Sequence, residues 1–405
     1  MAITVTGGPA YGASWIKASS PALTRQASAA GLTAGSAFDS LAGGAWGLRR
    51  CNLWDDGTTT AYYGDRCYTD TDVVNMGQVM VKIPKFYYYM EYDAGTTTYY
   101  WFVTTNASTT VDVGLGVGAQ AVKIHPAFTR DAATRENIYV GAYEGYKNTI
   151  TNKLESLAGV QPTPGYTRGN YRTWAREHAG AAESVKNKWE QQDYLTHSAL
   201  QLLYLIEYAT FYAQSTALGA GVSNLTGAGG ANNSCKTGHT TSLGNGSGSV
   251  AFAADNGYET TATQAMSYRG IENWYGNTRE WIDGINIGPP AASVNYGVYV
   301  ADHDFASSTS AHPYVDTTIV LPNSDGSISN IGTTATYDYG FLPSAFAGGT
   351  STYLCALYYH NEGDMTAYIS NWWGSGAAAS PFYLNITYAP AIGAPTVGSR
   401  LAYIG

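Results

Sequence analysis

The spacing of apolar positions along the chain changes period several times, and each period predicts an element. The run Met80-Val81-Lys82-Ile83-Pro84-Lys85-Phe86-Tyr87-Tyr88-Tyr89-Met90 is rich in β-branched and aromatic residues, which predicts a strand. Pro84 has no amide proton to give a neighbour, so this strand should sit at an edge or carry a bulge. Ala94-Gly95 turns the chain into Thr98-Tyr99-Tyr100-Trp101-Phe102-Val103, and the two runs form a plausible hairpin. Ile138 to Tyr146 predicts a further strand. From Tyr194 to Leu218 the period lengthens. Leu195, Ala199, Leu202, Leu203, Ile206, Ala209 and Tyr212 recur at three- and four-residue steps, which predicts a helix with one broad apolar face. Asp193 can cap its start and Gly219 can end it. Near the C-terminus the period returns to two: Phe382, Leu384 and Ile386 fall on one strand face and Tyr383, Asn385 and Thr387 on the other.

The intervening segments carry weaker patterns. Residues 1–75 are rich in small residues; Ala27 to Ala34 could make a short helix, weakened by Gly31 and Gly35. Asp55-Asp56-Gly57 and Tyr63-Gly64-Asp65 predict turns. Residues 147–190 place Arg168, Arg172, Arg176, Lys186 and Lys188 beside Trp174 and Trp189, a combination that could contact nucleic acid or glycan. Glu177, Glu183 and Glu190 interleave with the cations, so the expectation is a solvated loop and helix start. The Gly-, Asn- and Ser-rich stretch from Gly219 to Asn256 predicts long surface loops.

Composition narrows the partners. The 405 residues can bury a sizeable core; charged residues are only 13% and the net charge is −9. An acidic chain without a basic run argues against nucleic acid or an anionic membrane, both of which need a positive patch. Gly numbers 47 and Tyr 34, and with Ser and Asn this is the mixture of antibody-like paratopes, where Tyr supplies rigid contact area and small polar groups adapt. The same mixture also suits a β-rich extracellular or virion protein. No apolar run is long enough to span a bilayer and the first residues show no basic-then-apolar pattern, so assembly in a bacterial cytoplasm without membrane insertion is expected. Cys51, Cys67, Cys235 and Cys355 are far apart, and buried free thiols are expected.

Three motifs give the chain a resemblance. Ser370-Asn371-Trp372, Phe382-Tyr383-Leu384-Asn385 and Gly398-Ser399-Arg400-Leu401 stand where the variable tails of retroelement-diversified phage receptor-binding proteins have their Trp-Asn loop, Phe-x-Leu-Asn strand and Gly-x-Arg-Leu finish. Met266 to Gly284, with Gly276-Asn277-Thr278-Arg279-Glu280-Trp281, resembles the Gly-Asn-x-x-Glu-Trp hairpin shared by formylglycine-generating enzymes, ergothioneine-synthesis enzymes and phage lectin-like proteins. Ile83-Pro84-Lys85-Phe86-Tyr87-Tyr88 resembles the opening of that domain. Ser20-Pro21-Ala22-Leu23-Thr24-Arg25 and Trp46 to Cys51 resemble the start of phage structural proteins. The resemblance implies an α+β, C-type-lectin-like, formylglycine-generating-enzyme-like domain over residues 76–405, with insertions near 147–190 and 219–262 and a variable region near 353–405. Residues 1–75 would be a small β-rich virion-docking or oligomerisation region.

The formylglycine-generating branch needs two converging thiolates for copper, and only Cys355 lies in the C-terminal core region, with Cys235 in a Gly-rich loop. His178 and His197 are isolated, and no phosphate loop or Gly-x-Ser-x-Gly elbow is present. Calcium-dependent sugar motifs are absent too. Asp302-His303-Asp304 and the pair Glu362 and Asp364 are short acidic clusters of the kind that is usually only solvated. No catalytic residue, cofactor or obligatory metal is therefore expected.

What remains is a scaffold presenting a surface. Trp373, Tyr388 and Asn371 would be its anchors, with Ser375, Ala377, Thr387, Ile392 and Ala394 shaping the ground around them and Tyr359, flanked by Tyr358 and His360, at its border. Trp372, Phe382, Leu384 and Arg400 are assigned to the framework. The implied role is non-catalytic binding of a host-surface protein or glycan by a phage or prophage tail protein, a homotrimer in the virion beside other tail proteins. The alternatives are a structural virion protein using the same fold only to pack and, more remotely, a formylglycine-generating-type oxidase.

Overall fold

A computed structural model describes residues 2–39, 44–180, 188–226, 232–288, 296–361 and 365–405. Glu183, Lys186, Glu362 and Asp364 lie outside the described residues. Among the described residues the regular elements are mostly strands with few helices, and three sheets are the largest. One holds five strands in the order Lys123–Ile124, Tyr87–Asp93, Thr98–Thr104, Tyr11–Ile16 and Thr24–Ala27. A second runs Trp189–Gln191, Leu401–Tyr403, Asn137–Gly141, Gln78–Pro84, Arg49–Leu53 and Thr59–Tyr62. The third and largest is built around Arg279–Gly288, Met365–Ile369, Leu384–Tyr388 and Leu357–His360.

The expected strand Met80 to Met90 is two strands in two different sheets. Gln78–Pro84 ends where Pro84 has no N–H to continue the ladder, and Lys85 N bonds Glu136 O at 2.8 Å. Phe86 is fully buried at the corner, packed edge-on against Phe128 at 5.2 Å. From there Tyr87–Asp93 pairs antiparallel with Thr98–Thr104, the hairpin the pattern predicts.

Strands from before residue 75 complete these sheets: Tyr11–Ile16 pairs with Thr98–Thr104, and Arg49–Leu53 with Gln78–Pro84. Where a helix is expected over Ala27 to Ala34, Ala27 instead ends a strand at φ 50° and the next residues form turns; the helix there is Ser36–Asp39.

The long helix spans Tyr194–Tyr208, not Tyr194 to Leu218. Asp193 caps it, accepting from Thr196 N at 3.0 Å. It stops at Ala209, which takes a left-handed conformation, because the N-terminal chain claims the next backbone groups: Leu23 N bonds Ala209 O at 2.8 Å and Phe211 N bonds Pro21 O at 2.9 Å. Tyr194 through Glu207 are all buried, so the helix is surrounded, not laid on one apolar face. A second helix, Arg168–Arg176, lies in the segment expected to be solvated loop. A reciprocal pair between Thr167 and Asn170 closes its first turn.

Its cations are inside. Arg172 Nε and Nη2 bond the carboxylate of buried Asp283 at 2.6 and 2.7 Å, while Arg168 Nη1 donates to the carbonyls of Ile282 and Ile285 at 3.2 and 2.8 Å. The interleaved charges on this stretch are thus largely an interior ion network, apart from residues such as Glu177 and Lys188 that stay near the surface.

The Gly219 to Asn256 stretch is only partly surface loop: Gly248–Ala253 pairs with Ala262–Tyr268, and Val222, Leu225 and Cys235 are buried. The tight turn of the next hairpin falls at Arg269-Gly270, between Ala262–Tyr268 and Ile271–Glu272. Gly276-Asn277 does take positive φ, 84° and 60°, but as a bend leading into Arg279–Gly288. A Cβ at Gly276 would lie 2.7 Å from Val222 O, so only glycine fits there. Trp274, Trp281 and Ile282 are fully buried. The cysteines are all free; Cys51, Cys235 and Cys355 are buried, whereas Cys67 is exposed on a turn.

Candidate ligand-binding surface

The C-terminal stretch is mounted on buried ion pairs. Arg400 is fully buried and bonds Glu280 through Nε at 3.0 Å and Nη2 at 2.7 Å, and its remaining donors reach the carbonyls of Gly141, Glu272 and Asn273 at 2.9–3.1 Å. Every guanidinium edge has an acceptor, which is what makes a buried arginine tolerable. Beside it, buried Glu144 accepts from Asn273, Asn277 and both the N–H and hydroxyl of Thr278. Desolvation outweighs these donors and pushes the Glu144 carboxyl up to about 7. Together these groups lock the bend at Gly276-Asn277 to the final strand.

On this base the strands Arg279–Gly288, Met365–Ile369, Leu384–Tyr388 and Leu357–His360 line up a row of side chains. Trp281 pairs with Tyr368, Tyr368 with Asn385 and Asn385 with Tyr359, so all four point to one face of the sheet. The opposite face, with Phe382, Leu384 and Ile386, joins the main core around the long helix. The period-two reading of this strand therefore describes both sides: one faces the core, the other a second cluster of Trp281, Tyr368 and Tyr383.

Tyr388 does not follow the alternation. Tyr368 pairs with Asn385 but Thr366 pairs with Tyr388, so one extra residue is accommodated in the later strand. This bulge brings Tyr388 onto the Tyr368 side, stacked at 5.4 Å and 23°, and edge-on to Trp281 with ring centroids 6.2 Å apart. Thr387 stays on that side too, its hydroxyl 3.0 Å from the Tyr368 hydroxyl and bonded to Asn385 Oδ1 at 2.7 Å. Tyr359, Thr387 and Tyr388 are half-buried, so ring edges and a hydroxyl remain open at the rim.

Arg279 extends the face. Its guanidinium carbon lies 5.5 Å from the Tyr368 ring and 5.3 Å from the Trp372 ring, a stacked cation between two aromatics, while Nη1 bonds Thr396 Oγ1 at 3.1 Å. Thr396 belongs to the loop that carries Ile392 and Ala394. Ile392 is exposed and Ala394 is buried. Gly393 presses against Gly165, where a Cβ would lie 2.6 Å from the carbonyl oxygen, and this brings the exposed ring of Tyr166 and half-buried Trp174 alongside. Tyr166 meets Trp174 edge-on at 4.8 Å, and Lys147 Nζ sits 4.9 Å from the Trp174 ring.

Three expected contact residues are in the interior. Trp373 is fully buried against Val222, Leu225, Cys235 and Ala254, with its carbonyl accepting from Leu225 N at 2.8 Å. Asn371, at φ 66°, shapes the loop: its Nδ2 bonds Ala378 O at 3.2 Å and its Oδ1 accepts from Trp372 N at 3.2 Å. Ala394 packs under the aromatic cluster. A ligand cannot reach them without opening the fold. Tyr358, expected to flank the surface, is also fully buried, and Trp372, expected in the framework, is half-exposed. The loop reverses the two tryptophans because Ser370 and Asn371 both take positive φ and turn the backbone before them.

Ser375 ties the turn, accepting from Trp372 N at 2.9 Å and donating to Trp372 O at 2.7 Å; Ala377 is exposed on the next turn, Gly376–Ala378. Arg279, Tyr166 and Trp174 join this surface and Tyr368 backs it from within, and the sequence motifs point to none of them. The signal that could have found them is the register of Trp281 against Tyr368, which no local pattern reveals.

The other candidate chemistries are placed as follows. Cys235 packs beside Trp373 and Cys355 lies near Tyr353, and burial pushes both thiols up to about 12, away from the thiolate form that a nucleophile or a soft metal ligand needs. His125 and His197 are buried, their pKa values lowered by desolvation to about 3 and about 4. His303 pairs with Asp302 at 2.5 Å, and among the described residues no group of three or more His, Cys, Asp or Glu could hold a metal ion. No helix of the described residues is long and apolar enough to cross a membrane.

No family model matches this chain, and no curated protein matches it. Among solved structures the chain is similar to the Major Tropism Determinant U1 Variant, at 13% identity over 99% of this chain and 82% of that one, with a TM-score of 0.31. It is similar also to the Major Tropism Determinant P3c Variant, at 11% identity over 99% of this chain and 83% of that one, with a TM-score of 0.29.

Proposed function

We propose that this chain is a non-catalytic receptor-binding protein of a phage or prophage tail, with a C-type-lectin-like framework that presents a diversifiable C-terminal face to a host-surface protein or glycan. The observation that carries the reading is the half-buried rim of Tyr359, Thr387 and Tyr388, with Tyr388 stacked on buried Tyr368, on a framework held by the buried Arg400–Glu280 pair. Aromatic groups supply contact area at low entropic cost, and each anchor loses about 2 kcal/mol or more of binding on truncation. The motifs around Ser370-Asn371-Trp372, Phe382 to Asn385 and Gly398 to Leu401 support the same reading. The protein would act as a homotrimer among other tail proteins, where many weak sites on one virion add up to avidity.

Sequencing this gene across a natural population tests the proposal. Substitutions should concentrate at Tyr359, Ala377, Thr387, Tyr388 and Ile392, with a near-repeat of the segment in neighbouring DNA, and should spare Asn371, Trp373, Ala394 and Arg400. An even spread over buried and open positions would refute it.

A further inference from the structure

Away from the aromatic face, a cavity of about 540 Å³ opens beside the six-stranded sheet, with Arg49 and Lys82 in its lining. That volume suits a small ligand. The two cations stand directly opposite each other on the paired strands Arg49–Leu53 and Gln78–Pro84. Like charges in that position repel. Among the described residues neither has a carboxylate within salt-bridge distance; both lean on Tyr62 instead. The Arg49 guanidinium carbon is 4.3 Å from the Tyr62 ring, and Lys82 Nζ donates to the Tyr62 hydroxyl at 3.2 Å.

The acids around the cavity are already engaged. Asp39 pairs with Arg269 at 2.6 Å, and Glu136, next to Asn137 in the wall, pairs with Lys85. Asn245 accepts from Arg50 N at 2.7 Å through its Oδ1, which leaves its NH2 end to donate. The wall therefore sets cations and donors beside an apolar part made by Trp46, Leu48 and Pro84, with its one carboxylate, Asp39, already paired. In a chain of net charge −9, an uncompensated cation pair at one cavity is a local reversal of sign.

We infer that this cavity is a binding site for a small oxyanion, a carboxylate, sulfate or phosphate group, held between Arg49 and Lys82 with Tyr62 and Asn245 as further donors. Arg49 offers a planar fork and Lys82 a point charge, a pair suited to an anion with two or three oxygens. Filling the site relieves the cross-strand repulsion, so ligand and fold stabilise each other.

The test titrates the intact protein with sodium sulfate, inorganic phosphate and glucuronate by calorimetry at constant ionic strength. At least one should bind saturably at one site per chain and raise the thermal midpoint. Arg49→Gln and Lys82→Met should each weaken that binding at least tenfold while leaving the ligand-free midpoint equal or higher. Glucuronate binding would assign the carboxylate of an acidic sugar, and sulfate or phosphate binding alone a tetrahedral anion. Tyr388→Ala should bind the anion like wild type, so failure here is separate from failure of the receptor-binding reading. Absence of saturation with all three anions, or binding untouched by both substitutions, overturns the inference.

Discussion

Trp373 and Tyr388 lie on one stretch of chain, each carries a large aromatic ring, and they end in opposite environments. Trp373 is sealed among Val222, Leu225, Cys235 and Ala254, whereas Tyr388 stacks on Tyr368 and keeps an edge open. Backbone geometry makes the difference. Positive φ at Ser370 and Asn371 turns Trp373 inward and Trp372 outward, and a one-residue bulge brings Tyr388 to the face that simple alternation denies it. An aromatic side chain on this C-terminal stretch is thus placed by the backbone of the two or three residues before it, and its own chemistry does not say whether it ends inside or at the rim.

Arg400→Met should cost about 5 kcal/mol, the upper end for stranding one partner of a buried pair, because Glu280 is left buried without its partner and three carbonyls lose their donor. Chemical denaturation would measure it. Trp373→Ala should cost about 4 kcal/mol of unfolding free energy, the penalty of a large buried cavity. A value below about 1 kcal/mol would put Trp373 at the surface. Tyr388→Ala should shift the unfolding midpoint little and weaken adsorption to the target surface by about 2 kcal/mol, near thirtyfold, measured as a binding isotherm on whole envelopes.

Protonation sharpens the same contrast. Glu144 ordinarily titrates near 4.5 and is held at about 7 by burial, so folding takes up a proton between these values. Its contribution is complete below pH 4.5 and is lost as pH rises through about 7, with a slope of up to about 1.4 kcal/mol per pH unit. Glu144→Gln should flatten that slope in stability measured from pH 5 to 7. Tyr388→Ala should leave it intact, since the face lies outside the Glu144 network.

What the sequence made legible follows the range of each interaction. The hairpin of Tyr87–Asp93 with Thr98–Thr104, the Asp193 cap, the positive φ of Gly276-Asn277 and the two faces of Leu384–Tyr388 are set by residues close in the chain. The burial of Arg168 and Arg172 depends on Asp283 and on carbonyls more than a hundred residues away, so a local charge pattern suggested solvent. The helix ends at Tyr208 because Pro21 to Leu23 compete for its backbone, which its own apolar period cannot show. At the candidate surface, the motif frame points to Tyr359, Thr387, Tyr388 and Ile392, which are half-buried or exposed, and also to Asn371, Trp373 and Ala394, which loop geometry that the frame does not encode buries.

Buried framework and open face thus interleave within residues 353–405. Saturation mutagenesis of that segment, sorted for protease resistance of the displayed protein, tests it without knowing the ligand. Tyr359, Ala377, Thr387, Tyr388 and Ile392 should accept most residue types, and Asn371, Trp373, Phe382, Ala394 and Arg400 very few. Equal tolerance at Trp373 and Tyr388 would contradict the account.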